Sequence, residues 1–305
     1  MNTYLKSNRW ISTGYLLLIL LVVVGCKDKA KTKKDADSKQ DDRAFISQDF
    51  PENEWDNYKL AWQDEFNYEG KPDPKTWRFE KGFVRNEEVQ WYQEDNAEVR
   101  DGKLIFEARQ EKVANPDFDE SSKDWRKNRK EALYTSSAIE THGKKEFHFG
   151  SIVVRAKIDT TTGAWPAIWT VGKEGAWPEN GEVDIMEFYQ VDNKSTILAN
   201  AMWSTWSTTH HSFEDFLRED PEWPNKFHIW RMDWDKESID LYLDNQLLNH
   251  ISFAEDSTLN KAGENPFLQP HFLRLNLAID NRVEPSKIDF PIKYEVDYVR
   301  YYKKK

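Results

Sequence analysis

Trp177-Pro178-Glu179-Asn180-Gly181-Glu182-Val183-Asp184-Ile185-Met186-Glu187-Phe188 sets three carboxylates in an apolar, β-branched run. Such a run, preceded by Pro and Gly, reads as a half-buried strand. Alternate residues of a strand share a face, so Glu182 and Asp184 point the same way. Glu187 has the opposite parity and should point to the other side. One extra residue, a β-bulge around Ile185-Met186, returns it to the face of its companions. Val183, Phe188 and one of the two bulge residues then face the core. The plain alternative is an edge strand with solvated acids.

Three crowded carboxylates repel, and a chemistry that uses them is glycoside hydrolysis with retention. It takes two carboxyl groups about 5–5.5 Å apart, a nucleophile and an acid/base. Residues two apart on one strand face sit roughly 6.5–7 Å apart at Cα, and long Glu side chains can converge across a ligand. Glu182 is assigned as nucleophile and Glu187 as general acid/base. Asp184 between them is expected to hydrogen-bond one Glu and hold the two pKa values apart.

Gly163-Ala164-Trp165-Pro166-Ala167-Ile168-Trp169 followed by Glu182-Val183-Asp184-Ile185-Met186-Glu187 resembles glycoside hydrolase family 16, in its laminarinase-like branch with the bulge residue. The likeness runs from about Leu60 to Tyr302. It takes in Trp62-Gln63-Asp64-Glu65-Phe66, Asn86-Glu87-Glu88-Val89-Gln90-Trp91-Tyr92, Asp101-Gly102-Lys103-Leu104, Tyr134-Thr135-Ser136 and Val296-Asp297-Tyr298-Val299-Arg300. The resemblance implies an all-β, concanavalin A-like jelly-roll sandwich of two antiparallel sheets with an open concave cleft. It also implies a retaining, endo-acting enzyme that needs no cofactor for catalysis. Many relatives carry a structural calcium, for which Glu65, the Gly102 carbonyl and Asp297 stand in the matching positions, offering the oxygen ligands calcium takes.

Residues 1–26 read as an address. Lys6 and Arg9 supply a positive start, Tyr15 to Val24 form an apolar run, and Val23-Val24-Gly25-Cys26 resembles a lipoprotein signal cleaved before a lipidated cysteine. An uncleaved anchor is the alternative, although a bilayer span takes about 20 apolar residues. With the single cysteine of the chain carrying lipid, no thiol chemistry is left. Residues 27–45, rich in Lys, Asp, Ser and Gln, read as a flexible charged tether. The remainder, 46–305, is the catalytic β-sandwich domain. An outer-membrane or cell-surface lipoprotein is expected, a monomer touching the membrane only through its lipid.

The chain has 14 Trp and is 14% aromatic, more than a core needs, and flat rings suit pyranose faces. A formal net charge of −11 speaks against nucleic acid and strongly anionic polymers. The partner expected is a polysaccharide or oligosaccharide. Leu104 to Arg109, Ser151 to Ile158 and Phe227 to Trp234 read as strands. Asp244-Asn245 reads as a two-residue hairpin turn, and Leu273, Leu275, Leu277 and Ile279 alternate with Arg274, Asn276 and Ala278. Short strands between turn signals favour a sandwich. Two polar stretches interrupt them: Glu111 to Lys130, taken as surface decoration, and Thr205 to Pro224, expected to border the cleft.

Candidate sugar contacts are Trp165, Trp169, Trp91, Trp203, His210, Asn86 and Glu87. Trp165 is placed near the nucleophile by the resemblance, Trp203 is expected beside the acid/base, and Asn86 matches a family asparagine that contacts sugar hydroxyls. Its neighbour, often Asn in laminarinases, is Glu87, and Ala138 stands where many relatives carry Arg. The Gly-Gly that often follows the Asn-Leu-Ala block is Asp280-Asn281, and the histidine-containing block after the catalytic strand is replaced by Ile197 to Trp203. These departures leave the reaction type alone and open the substrate. A β-1,3- or mixed-linked glucan is the first reading, and an endo-β-galactosidase on agar, carrageenan or host-type glycans the second. A surface lectin without turnover is a third, which has no need of all three acids. The histidines lack cysteine partners and a His-Glu-x-x-His helix, so catalytic zinc is not expected.

Overall fold

The computed structural model describes residues 43–254 and 257–305; Cys26, the signal and most of the tether lie outside them. Among the described residues the strands are, in chain order, β1 (Tyr58–Asp64), β2 (Arg78–Phe79), β3 (Gln90–Tyr92), β4 (Ala97–Arg100), β5 (Lys103–Ala108), β6 (Val113–Ala114), β7 (Glu131–Ala132), β8 (Tyr134–Ser136), β9 (Ala138–Glu140), β10 (Gly150–Ile158), β11 (Ala164–Gly172), β12 (Glu182–Val191), β13 (Lys194–Met202), β14 (Trp206–Ser212), β15 (His228–Trp234), β16 (Ser238–Leu243), β17 (Gln246–Ser252), β18 (His271–Ile279) and β19 (Ile292–Lys304). All but β3, β6, β7 and β8, which form the small pairs β3-β8 and β6-β7, build two large antiparallel sheets. One runs β17-β16-β15-β10-β19-β5-β4 with β1 joined to β19, the other β14-β13-β12-β11-β18-β9-β2.

Alternation explains which residues meet between the sheets. Leu273, Leu275, Leu277 and Ile279 of β18 point inward and are buried, beside Ile168 of β11 and Ile197, Ala199 and Ala201 of β13. Facing them are Ile152, Val154 and Ala156 of β10, Trp230, Met232 and Trp234 of β15, and Leu104 and Phe106 of β5. Burying this apolar set is the main stabilising term of the domain. The Asp244-Asn245 turn forms as read: both residues have positive φ, 48° and 66°, and Leu243 pairs with Gln246 across it, as a two-residue hairpin requires.

Three expectations change. Residues 43–45, read as tether, belong to a helix over 43–49, and Ile46 within it and Phe50 just after it pack with Tyr58, Tyr298 and Tyr302. Thr205 to Pro224 is not irregular: it supplies edge strand β14, the helix Phe213–Glu219, and buried Phe213 and Trp223. Its polar character is that of an edge strand with one solvated face. Glu111 to Lys130 is more than decoration. Arg129 donates to the carbonyls of Glu87 and Glu88, and Arg126 to that of Val84. The stretch therefore braces the loop that carries Asn86.

Candidate active site

The bulge sits in β12, between its neighbours. On one side Asp184 pairs with Asn200 and Glu187 with Leu198, so two residues of β12 oppose one of β13. On the other, Asp184 pairs with Trp169 and Met186 with Ile168. Val183, Ile185, Met186 and Phe188 are all buried in the core. Both bulge residues face inward, where one had been expected. The two share a single partner position, so neither is forced to the opposite side of the sheet.

With register restored, residues directly opposite one another share a face, and three rows cross the sheet. Phe272, Val171, Glu182, Met202 and Trp206 form the first; Arg274, Trp169, Asp184, Asn200 and Thr208 the second; Asn276, Ala167, Glu187, Leu198 and His210 the third. Each acid heads toward the same outer face. There they line a cleft of about 700 Å³ with Arg85, Asn86, Trp165, Trp169, Trp177, Tyr189 and Trp206.

The acids have different surroundings. Glu187 Oε1 accepts from Trp165 Nε1 at 2.9 Å and Oε2 from Asn200 Nδ2 at 3.0 Å. Glu182 Oε2 accepts from Trp177 Nε1 at 2.8 Å. Asp184 is 3% exposed, and its Oδ2 has no hydrogen-bond partner. The expected bond from Asp184 to a Glu is not formed; the two glutamates accept from Trp165, Trp177 and Asn200 instead. Burial pushes Glu187 up to about 7; the Trp165 N–H opposes this, the charge of Glu182 adds to it, and Asn200 and Arg282 oppose it. Burial also raises Glu182, opposed by the Trp177 N–H and by Arg274 and Arg85. Asp184 goes well above its usual range through burial and then the charges of Glu187 and Glu182. The three titrate as a set. Glu182, served by an N–H and two guanidinium groups, is the one best able to hold charge, while Glu187 keeps its proton to near neutrality.

The model of glycosyl hydrolases family 16 matches residues 85–297. The chain belongs to glycosyl hydrolase family 16. It is 29% identical over 266 residues to a β-glucanase of Rhodothermus marinus, covering 81% of this chain and 86% of that protein. The laminarinase catalytic domain of Thermotoga maritima superposes with a TM-score of 0.67 at 30% identity, covering 81% and 98% of the two chains. A structure from work on endo-acting O-glycanases of human gut bacteria that initiate mucin breakdown gives 0.72 at 34% identity, covering 82% and 92%.

In this family-16 cleft the remaining site expectations divide. Asn86 lines the wall, with φ of 55°. Trp169 lines it too, donating to Asn276 Oδ1 at 2.7 Å. The Arg274 and Arg85 guanidinium groups lie 4.7 and 5.1 Å from its ring centroid, so it is only 8% exposed and is held as a wall. Trp203 is a correction: it shares the inward parity of Ala199 and Ala201 and packs edge-on against Phe267 in the core. Trp91 packs against Phe83 behind the loop, outside the cleft lining. Glu87 is exposed and outside the lining. His210 shares the outer face of the Glu187 row, exposed on edge strand β14 beyond the cleft lining.

Cleft residues missed from sequence are Trp177, Arg85, Arg274 and Tyr189, whereas Trp206 lines the cleft from the Thr205 to Pro224 stretch that was expected to border it. Trp177 opens the stretch with the acids, and Trp206 stands at the outer-face parity of Asn200 and Met202 across the β13–β14 turn. Those two signals were available. The calcium expectation does not fit. Both carboxylate oxygens of Glu65 accept from Arg300, and Asp297 is paired with Arg155. Neither of these side chains, matched with the Gly102 carbonyl, offers the uncommitted charge calcium draws on. Among the described residues no group of three or more His, Cys, Asp and Glu is placed to hold a metal ion.

Proposed function

We propose that this chain is a retaining, endo-acting glycosidase, with Glu182 as nucleophile, Glu187 as acid/base and Asp184 as the buried carboxyl between them that orients and tunes the pair. The observation that carries the reading is the bulge, which brings both glutamates to one face of one strand, with Glu187 raised to about 7. In the first step Glu187 protonates the leaving glycosidic oxygen as Glu182 attacks the anomeric carbon. In the second, Glu187 takes a proton from water, which attacks the same carbon and releases Glu182. The cleft receives residues from both sides of β12, Asn86 and Arg274 on one and Trp206 on the other, which suits a chain threaded through it.

The substrate proposed is a β-1,3- or mixed-linked β-glucan, supported by the β-glucanase and laminarinase relatives. A second reading, a β-galactoside of host O-glycans, is favoured by the likeness to the O-glycanase structure. Laminarin, lichenan, agarose, carrageenan, poly-N-acetyllactosamine and mucin should be offered in parallel, with products sized and their first-formed anomer read by NMR. Short oligosaccharides of retained configuration from laminarin or lichenan are expected. Release from mucin or poly-N-acetyllactosamine with the glucans untouched would move the assignment to the second reading. Binding of any of them without release would leave only a lectin. We further propose that Cys26 carries the lipid that anchors a monomeric enzyme at the outer membrane or cell surface. A Cys26→Ser chain should leave the membrane fraction, and its persistence there would count against lipidation.

A further inference from the structure

The turn after β18 departs from the family pattern, with Asp280-Asn281 in place of Gly-Gly, and the structure shows what the two side chains hold. Asp280 is 1% exposed, and its carboxylate accepts from Arg282 Nε at 2.7 Å and Nη2 at 3.0 Å. The pinned guanidinium lies 4.3 Å from the ring centroid of Tyr189 and 5.2 Å from that of Trp165. Those two rings are themselves 5.1 Å apart. Trp165 in turn gives its indole N–H to Glu187 Oε1 at 2.9 Å. Asn281 Nδ2 reaches across to the carbonyl of Asn86 at 2.9 Å. One short turn thus ties the wall that carries Trp165 to the loop that carries Asn86.

We propose that Arg282 is a positioning residue for Glu187: clamped by buried Asp280, it fixes the Trp165–Tyr189 pair that presents an N–H to the acid/base carboxyl. This rests on the acid/base role proposed for Glu187. Arg282 does not line the cleft, so it acts through Trp165 and through its charge, not by touching the sugar. A guanidinium plane suits the task because it stacks on rings while its edge is held by a carboxylate.

The groups that face Glu187 come from several elements. From its own strand come the acids Glu182 and Asp184, with Tyr189; from β11 comes uncharged Trp165, and from β13 uncharged Asn200, with His210 beyond Leu198 in the same row. Of the guanidinium groups around the cleft, Arg274 of β18 and Arg85 bear on Glu182, and Arg282 bears on Glu187, working with the Trp165 N–H against the burial that raises that carboxyl.

The test is a pH profile of kcat/KM for Arg282→Met, Arg282→Lys and Glu187→Gln beside the native enzyme. Methionine keeps an aliphatic stem over Tyr189 while removing charge and clamp. The basic limb, which reports the acid/base group of the free enzyme, should move up by about half a unit to one unit. The kcat should fall roughly tenfold as Trp165 loosens, with KM little changed. Lysine should bring the limb most of the way back without restoring kcat in full. A limb that stays at the native position in Arg282→Met overturns the proposal, even if the melting temperature drops, because a purely structural residue would do that. If Glu187→Gln keeps native activity, the acid/base assignment fails and the Arg282 proposal with it. If Glu187→Gln is inactive and the Arg282→Met limb is unmoved, only the Arg282 proposal fails.

Discussion

Glu182→Gln should leave a folded protein that binds oligosaccharide and cleaves it at a rate lowered by about 10⁵-fold or more, the scale of losing a covalent nucleophile. The amide keeps the shape of the side chain and can still meet the Trp177 N–H through its oxygen, so the cleft should not collapse. It has no charge with which to attack an anomeric carbon. Stability should move the other way. Glu182, Asp184 and Glu187 lie on one face of one strand, and burial holds all three above their usual range. Removing one charge relieves the other two, as expected where a functional site is kept at the expense of stability. A scanning melt should show Glu182→Gln at least as stable as the native protein, and a native-like turnover number would end the nucleophile assignment.

The decisive feature was legible before any coordinates, because it is a matter of parity. A strand that places Glu182 and Asp184 outward must place Glu187 inward unless a residue is added, and β12 adds it. The same counting would have sent Trp203 to the core with Ala199 and Ala201, and the sugar-stacking reading of it ignored that alternation. Other site residues carried no local signal. Arg85 and Arg274 come from distant parts of the chain to flank Trp169, and only the pairing of β11 with β18 brings Arg274 to its ring. Trp91 lies on a three-residue strand, too short for alternation to say which side it takes. The calcium reading matched residue types at the right positions, but Arg300 and Arg155 already neutralise those carboxylates. Side-chain pairing of that kind depends on sheet register, which motif matching does not contain.

The second large effect is expected at Glu187, and its size should depend on the substrate. Glu187→Gln removes the proton donor from the first step and the base from the second. With a natural glycoside, whose leaving oxygen must be protonated, the loss should be about 10³- to 10⁴-fold, near the upper range for general acid–base catalysis. An aryl glycoside with an acidic phenol departs without help, so its first step should be nearly spared. The covalent intermediate should then accumulate as a burst, because water is no longer deprotonated. The pH behaviour follows from the same carboxyl. Its folded pKa of about 7 lies above its ordinary 4.5, so between these values the folded chain holds a proton that the unfolded chain has released. Stability must therefore fall as pH rises through that window. Above it the buried charge opposes folding in full, and below it the penalty is gone. Native enzyme should lose melting temperature from pH 5 to pH 8, Glu187→Gln should lose less, and the basic limb of its residual activity should vanish. Equal losses on natural and activated substrates, or a basic limb that survives the substitution, would place the acid/base elsewhere on the cleft face.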